Sequence, residues 1–261
     1  MCNTAGRCRT PEVLLGLPAT SHDDGYTVTR GAFTAAEVDE LRTALEAATA
    51  RAAGLASGAP STLTDGGHVI QTVPGDPPTS VHWEPGVEPP VVRNLRPVAH
   101  LDPRLAARWD DPRLTGPAAG LLGVRAVAPL TSKSSLKRAR VGSDYLWHTD
   151  HTFLARFLDD TAAARVVTAM VLLDDADADN GALTLVPGSH RGTGRADGEP
   201  PRPGDAAPVL LAAPAGTVVC FPSRMLHRSG ANRSARDRRA LLYLYQPAGR
   251  PPLDETRPLP R

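Results

Sequence analysis

The period of the apolar positions changes several times along the chain, and each change marks an element. Gly25 to Thr29 alternates apolar and polar, as a short half-buried strand does. Val38, Leu41, Leu45, Ala48 and Ala52 then recur at helical spacing. Just before them, Thr34 and Glu37 stand at capping-box distance, Phe33 and Val38 are placed to staple the first turn, and Gly54 offers a stop. A scaffold helix is predicted there. Residues 54–90 lose all period and are rich in Gly, Pro, Ser and Thr. That is too long for an idle connection and predicts either a lid or a poorly ordered segment. Asp102-Pro103 and Asp111-Pro112 each set proline behind an acidic cap, which predicts two short helices reaching Trp109 and Leu122.

From Val124 to Leu136 the chain is apolar and β-branched enough for a strand pair. Tyr145 to His151 reads as extended, and His151 to Arg165 as a segment suited to closing over a site. Val166 to Leu173 is a continuous apolar run and so a buried strand. Asn180-Gly181 predicts a tight turn and a hairpin into Ala182 to Val186, ended by Pro187-Gly188-Ser189-His190. Arg191 to Pro208 has no core pattern and predicts a mobile loop. Thr217 to Phe221 and Leu241 to Tyr245 are the last strands. Strands this numerous, with few helices, predict a mainly β fold. Met1 to about Thr20 shows no periodicity and reads as a flexible lead-in, leaving residues 21–261 as a single domain.

At 261 residues and 27.5 kDa the chain is long enough for one well-cored domain. Lys and Arg total 29 against 28 Asp and Glu, so no global field recruits nucleic acid or an anionic membrane. There is no uninterrupted apolar run of membrane-spanning length and no signal-peptide pattern, so a cytoplasmic protein, monomeric or homodimeric, is expected. The cysteines, Cys2, Cys8 and Cys220, are odd in number, which argues against a disulfide framework. Cys220 reads as a small buried strand residue.

The candidate chemistry gathers at Trp147-His148-Thr149-Asp150. His-x-Asp on a strand puts both side chains on one side of the backbone, because strand side chains alternate. With a second imidazole from His227 they form two nitrogens and a carboxylate on one face of a metal, an arrangement suited to non-haem Fe(II). His190 is a rival third ligand. Arg238 follows eleven residues after His227 and opens the last strand; Arg238 and Arg239 then lie on opposite faces, so only one points inward. A buried Arg is costly unless paired, and its fork matches a carboxylate. A cupin-like metal protein without a keto-acid co-substrate, such as an isomerase, is the alternative of another class, and it has no use for a buried cation at Arg238.

Taken together, Asp24-Gly25-Tyr26 with Phe33-Thr34, Lys133 to Lys137, the His148 motif, Asp174 with Asn180-Gly181-Ala182-Leu183, Val186 to His190, and His227 to Ser234 with Arg238 resemble the phytanoyl-CoA dioxygenase-like Fe(II)/2-oxoglutarate oxygenases, the relatives of ectoine hydroxylase. The resemblance runs from about Gly25 to Gln246. It implies a double-stranded β-helix, a cupin-like jelly roll, with iron held by His148, Asp150 and His227. It implies 2-oxoglutarate and O2 as co-substrates, the distal carboxylate pairing with Arg238, a hydroxyl from Ser229, and Lys137 nearby. Ectoine hydroxylase-like members carry a Gln where this chain has Thr131, so the co-substrate contact differs there. For Lys137 the residues alone leave a second reading, a charged strand edge that resists aggregation. His190 falls in a structural turn of the family pattern.

Hydroxylation of a small molecule is the implied outcome. Desaturation, epimerisation and ring formation use the same centre. The Ala-, Arg- and Pro-heavy composition points to a GC-rich bacterial source, where such enzymes tailor specialised metabolites. Trp83, Trp147 and Phe153, with Arg140, His151 and Arg156, are the candidates for walling a mixed pocket around a small polar substrate. For Trp83 the other reading is a loop anchor on the core.

Overall fold

Thr34 starts the first helix as its spacing predicts. Its backbone N–H donates to the Glu37 carboxylate at 2.8 Å, and Glu37 N–H returns the bond to the Thr34 hydroxyl at 3.3 Å. Helix α1 (Ala35–Ala56) runs past Gly54 by two residues. The computed structural model describes residues 12–13, 24–63, 68–192, 196–202 and 204–256. Its strands are β1 (Glu12–Val13), β2 (Thr27–Thr29), β3 (Ser61–Leu63), β4 (Val69–Val73), β5 (Thr79–Trp83), β6 (Val92–Arg96) and β7 (Val127–Lys137). Then follow β8 (Tyr145–His148), β9 (Val167–Leu172), β10 (Leu183–Leu185), β11 (Val209–Leu210), β12 (Val218–Pro222), β13 (His227–Ser229) and β14 (Arg238–Pro247). The remaining helices are α2 (Pro103–Ala106), α3 (Pro112–Leu122), α4 (Asp150–Leu154) and α5 (Asp160–Ala164). Most of the expected lead-in over residues 1–20 lies outside the described residues; Glu12–Val13 pairs in parallel with β11.

Two five-stranded sheets, β2-β12-β9-β14-β7 and β1-β11-β10-β13-β8, face each other as the jelly roll requires. Strand alternation gives the first sheet two apolar faces. Val167, Ala169 and Val171 of β9 join Val218, Cys220, Leu241 and Tyr243 under α1 and α3. Met170 and Leu172 join Val219 and Phe221 against Leu183, Leu185 and Leu210 of the opposite sheet. This is why β9 is apolar at every position except Thr168. The two Asp-Pro helices form with their acidic caps, Asp102 accepting from Arg104 N–H and Asp111 from Arg113 N–H, and Gly123 closes α3 in the left-handed conformation.

Three expectations change. The described part of residues 54–90 is not an irregular segment: β3, β4 and β5 with β6 make a third, four-stranded antiparallel sheet. Its strands are short and mix polar with apolar residues, so they carry no clear period. Val124 to Leu136 contains one long strand, not a pair, because the whole of β7 is needed to pair β14. Asn180-Gly181 does turn the chain, with Gly181 at φ 81°, but it makes no hairpin. β9 and β10 belong to opposite sheets, and β10 pairs β11 and β13. Of the expected 191–208 loop, the described part forms no strand or helix beyond the 3-10 turn Ser189–Arg191 at its start.

Candidate metal and co-substrate site

Register between β8 and β13 sets His148 opposite His227, with ring centroids 4.1 Å apart. Asp150 is not on the strand. β8 ends at His148, Thr149 stays extended (φ −120°, ψ 140°), and Asp150 is the first residue of α4. One extended residue followed by a helix start therefore replaces the expected strand alternation in bringing the carboxylate round. One donor atom from each of His148, Asp150 and His227 lies within 4.8 Å of the other two.

Hydrogen bonds around the cluster orient its lone pairs. Nδ1 of His148 lies 2.8 Å from the Leu146 carbonyl, and Nδ1 of His227 lies 2.8 Å from that of Met225. A carbonyl can only accept, so each Nδ1 carries the proton and each Nε2 is left as an acceptor. The Thr168 hydroxyl donates to Asp150 Oδ2 at 2.7 Å, while Oδ1 lies 3.9 Å from His227 Nε2. Burial, then the neighbouring His227 ring, pushes the His148 pKa down to about 3, so the ring is neutral at pH 7. Burial alone would raise the Asp150 carboxyl; the two imidazoles and the Thr168 hydroxyl outweigh it and hold it below the usual range. Two imidazole nitrogens and one carboxylate oxygen fit a divalent first-row metal such as Fe(II). His190 is elsewhere, its ring packed where a Cβ on Gly25 would stand, 2.1 Å away.

Arg238 opens β14 opposite Lys137 of β7, and both side chains are 1% exposed. Arg238 donates Nη2 to the Gly181 carbonyl at 3.0 Å and Nη1 to the Ser135 hydroxyl at 3.3 Å. Its Nε is buried without a partner, and among the described residues no carboxylate pairs with it. Burial lowers its pKa to about 10, so it stays charged at pH 7. A buried guanidinium without a counter-ion fits the distal carboxylate of a dicarboxylate. Arg239 faces the other way, its guanidinium on Asp174 at 2.8 Å and Glu46 at 2.9 Å. Lys137 donates to the Ser143 carbonyl at 2.5 Å; burial, then Arg238 and Arg93, pushes its pKa down to about 6. Ser229 is buried two residues beyond His227 on the same face of β13.

Gly181 lets this corner close. At φ 81°, a Cβ there would meet the Gly230 carbonyl oxygen at 2.2 Å and Lys137 Cδ at 3.0 Å. Gly181→Ala is therefore expected to lower stability by about 1 to 3 kcal/mol, read by denaturant unfolding. It should also weaken 2-oxoglutarate binding, because it displaces the carbonyl that holds Arg238.

The residues expected around a substrate scatter more widely. Trp83 ends β5, packs against the helix-covered core and donates Nε1 to Gln71 at 2.8 Å. Trp147, on the opposite face of β8 from His148, lies under the Arg228 guanidinium at 4.9 Å. Arg140 is exposed in a turn, its N–H donating to the Ser234 carbonyl at 3.0 Å. His151 Nε2 stands 3.1 Å from Asp160, and Arg156 is exposed with its charge acting on Asp197. The Thr131 hydroxyl is taken by the Glu255 carboxylate. Phe153 of α4 does border the interior, 5.2 Å from Phe157 and beneath Arg96 at 4.7 Å.

Sequence reasoning missed Asn94 and Arg96 of β6, and did not place His82 of β5 and Lys133 of β7 with them on the polar inner face beside the cluster. Burial, then Lys133 and Arg96, pushes the His82 pKa down to about 3. The signal was the alternation Thr131, Lys133, Ser135, Lys137, visible only once β7 is one unbroken strand.

Residues 21–240 match the profile of the phytanoyl-CoA dioxygenase (PhyH) family. An ectoine dioxygenase of Bordetella parapertussis is 32% identical over 186 residues, covering 62% of this chain and 59% of the relative. An L-proline trans-4-hydroxylase of Streptomyces griseoviridis is 31% identical over 174 residues, covering 56% and 64%. The chain spans less than two thirds of these curated relatives. Among solved structures, EctD from S. alaskensis with 2-oxoglutarate and 5-hydroxyectoine superposes with TM-score 0.63 at 24% identity, covering 86% of this chain and 73% of that one. The carbocyclase SnoK from nogalamycin biosynthesis also gives 0.63 at 23% identity, covering 87% and 81%. Both are likenesses of fold. With the family profile matched over most of its length, the chain belongs to the phytanoyl-CoA dioxygenase family.

Proposed function

We propose that this chain is an Fe(II)- and 2-oxoglutarate-dependent dioxygenase that hydroxylates a C–H bond of a small molecule. The observation that carries this reading is the pairing of a His148–Asp150–His227 donor cluster with an uncompensated buried Arg238. Ferrous iron with 2-oxoglutarate supplies oxidative chemistry in which O2 is split, succinate and CO2 are released, and one oxygen enters the substrate. The chain's part is to hold and to exclude. His148 and His227 would hold the metal through Nε2 and Asp150 through Oδ1. Phe221, 4.9 Å from the His227 ring, and the inter-sheet core behind it keep water from that flank. Arg238, with Ser229 and Lys137, takes the distal carboxylate.

Residues 21–261 act as one domain in this reading, in the cytoplasm, as a monomer or homodimer. No helix among the described residues is long and apolar enough to cross a membrane. The names of the relatives, ectoine dioxygenase and L-proline trans-4-hydroxylase, support a small polar substrate. The test is succinate formation from 2-oxoglutarate in air with added Fe(II), across a panel of small polar metabolites. Iron-dependent succinate that rises with one class of metabolite is the expected result; none with any metabolite overturns the reading.

Lys137 adds a pH signature. With its pKa near 6, its amine is neutral at pH 7.5, and a carboxylate beside it favours the ammonium. Binding of 2-oxoglutarate should then take up as much as one proton above pH about 6 and none well below it, so affinity falls as pH rises. Calorimetry in buffers of different ionisation enthalpy measures this uptake, and Lys137→Met should remove it.

A further inference from the structure

The third sheet reaches the co-substrate end of the barrel through one buried ion pair. Glu84 follows β5 and Arg93 lies on β6; their side chains are 1% and 5% exposed and meet at 3.2 Å. Both grip the loop between β7 and β8. The Ser143 N–H donates to Glu84 Oε2 at 3.2 Å, and the Ser143 hydroxyl donates to the same oxygen. Arg93 donates Nη1 to that hydroxyl and Nη2 to the Asp144 carbonyl at 2.6 Å, and its guanidinium lies 3.8 Å from the centroid of the Tyr145 ring. The loop held in this way is the one that holds Lys137. The Ser143 carbonyl accepts from Lys137 Nζ, which lies 5.0 Å from the centroid of the same Tyr145 ring. A Cβ on Gly142 would stand 2.6 Å from Lys137 Cα, so the loop lies directly against the strand.

Stability does not account for this pair. Two charges taken out of water are costly, and apolar groups of similar volume in their place are often neutral or stabilising. Glu84 Oε1 is buried besides, with no hydrogen-bond partner among the described residues. What the pair supplies is geometry: it fixes the Ser143 carbonyl and the Tyr145 ring, the two groups against which the Lys137 side chain rests.

We propose that Glu84 and Arg93 are positioning residues for the co-substrate: through residues 143–145, the third sheet sets where the Lys137 amine meets the distal carboxylate of 2-oxoglutarate. This rests on the dioxygenase reading above and deepens it at the co-substrate end. Neither residue needs to touch the co-substrate; both act through Lys137. The pair also sets the charge balance there. The charges that act on Lys137 are those of Arg238 on β14, Arg93, Glu84 and Asp144, with the Tyr145 ring beside it. Arg238 and Arg93 disfavour its ammonium, while Glu84 and Asp144 favour it.

The experiment uses the full chain with Zn(II) as a redox-silent metal. Calorimetry with 2-oxoglutarate across a pH series, in buffers of different ionisation enthalpy, gives affinity and proton uptake together. In wild type the uptake should set in near pH 6, where the free amine titrates. Glu84→Gln removes a charge that favours the Lys137 ammonium, so uptake should set in at lower pH and affinity above that pH should fall about tenfold. Arg93→Met removes a charge that disfavours the ammonium, so uptake should set in at higher pH. A merely structural role does not shift the onset in opposite directions for the two partners of one ion pair. Zn(II) affinity should be unchanged in both. Ser143→Ala keeps the ion pair and removes only its hydroxyl link; it should weaken 2-oxoglutarate while leaving the onset of uptake in place, and it decides the matter if Glu84→Gln does not fold. Unchanged 2-oxoglutarate affinity in Glu84→Gln or in Ser143→Ala, onset shifts of the same sign, or parallel loss of Zn(II) and 2-oxoglutarate would each overturn the proposal. Failure of the dioxygenase reading shows separately, as wild type that takes up no 2-oxoglutarate with metal present.

Discussion

Alanine in place of His148, Asp150 or His227 is expected to abolish tight Fe(II) binding, and activity with it. Each of the three contributes one donor, and the donors lie within 4.8 Å of one another, so removing one leaves two. Loss of an outer partner of a metal ligand costs about 10- to 100-fold, and loss of a ligand itself should exceed that. Thr168→Val provides the comparison: it removes only the hydroxyl that orients Asp150 and should fall within the smaller range. His190→Ala should keep the metal, because that ring packs on Gly25. Equilibrium dialysis against Fe(II) under anaerobic conditions reads all five variants. Metal retained by His227→Ala but lost by His190→Ala would reverse the assignment.

Arg238→Ala should raise the KM for 2-oxoglutarate sharply while the protein keeps its iron. The side chain is 1% exposed and has no carboxylate of its own among the described residues, so a bound carboxylate would be its counter-ion. Truncating one partner of such a pair costs about 2 to 5 kcal/mol, which corresponds to a rise of roughly 30-fold to several thousand-fold. Arg239→Ala should behave differently. Its guanidinium is tied to Asp174 and Glu46 on the helix-facing side, so its loss should lower Tm and leave the KM nearly unchanged. Steady-state kinetics beside thermal unfolding separate the two. Equal KM effects from both variants would mean that the face assignment of β14 is wrong.

The face assignment of these two arginines was legible because strand alternation is a local rule. So were the Thr34 capping box and the Asp-Pro helix starts, which need only a few neighbouring residues. His148 and His227 were legible as a pair through the order of motifs, although Asp150 reaches the cluster from a helix start that no period reveals. The third sheet was not legible. Its strands are three to five residues long and carry Gln71, Thr72, Ser80 and His82 among the apolar positions, and their pairing is decided by contacts beyond the segment. The same holds for the turn at Gly181, whose geometry is local but whose flanking strands join different sheets. Lys133 and His82 could not be placed together from the sequence for that reason: the face they share exists only after β5, β6 and β7 have assembled.

The most direct test of the account is an anaerobic titration of the full chain with 2-oxoglutarate, with and without one equivalent of Fe(II), followed by equilibrium binding. The account predicts one iron and one 2-oxoglutarate per chain, with tight uptake of 2-oxoglutarate only when iron is present and a large loss of it in Arg238→Ala. Tight 2-oxoglutarate uptake without metal, or none with it, would contradict the claim that the His148–Asp150–His227 cluster and Arg238 form one site.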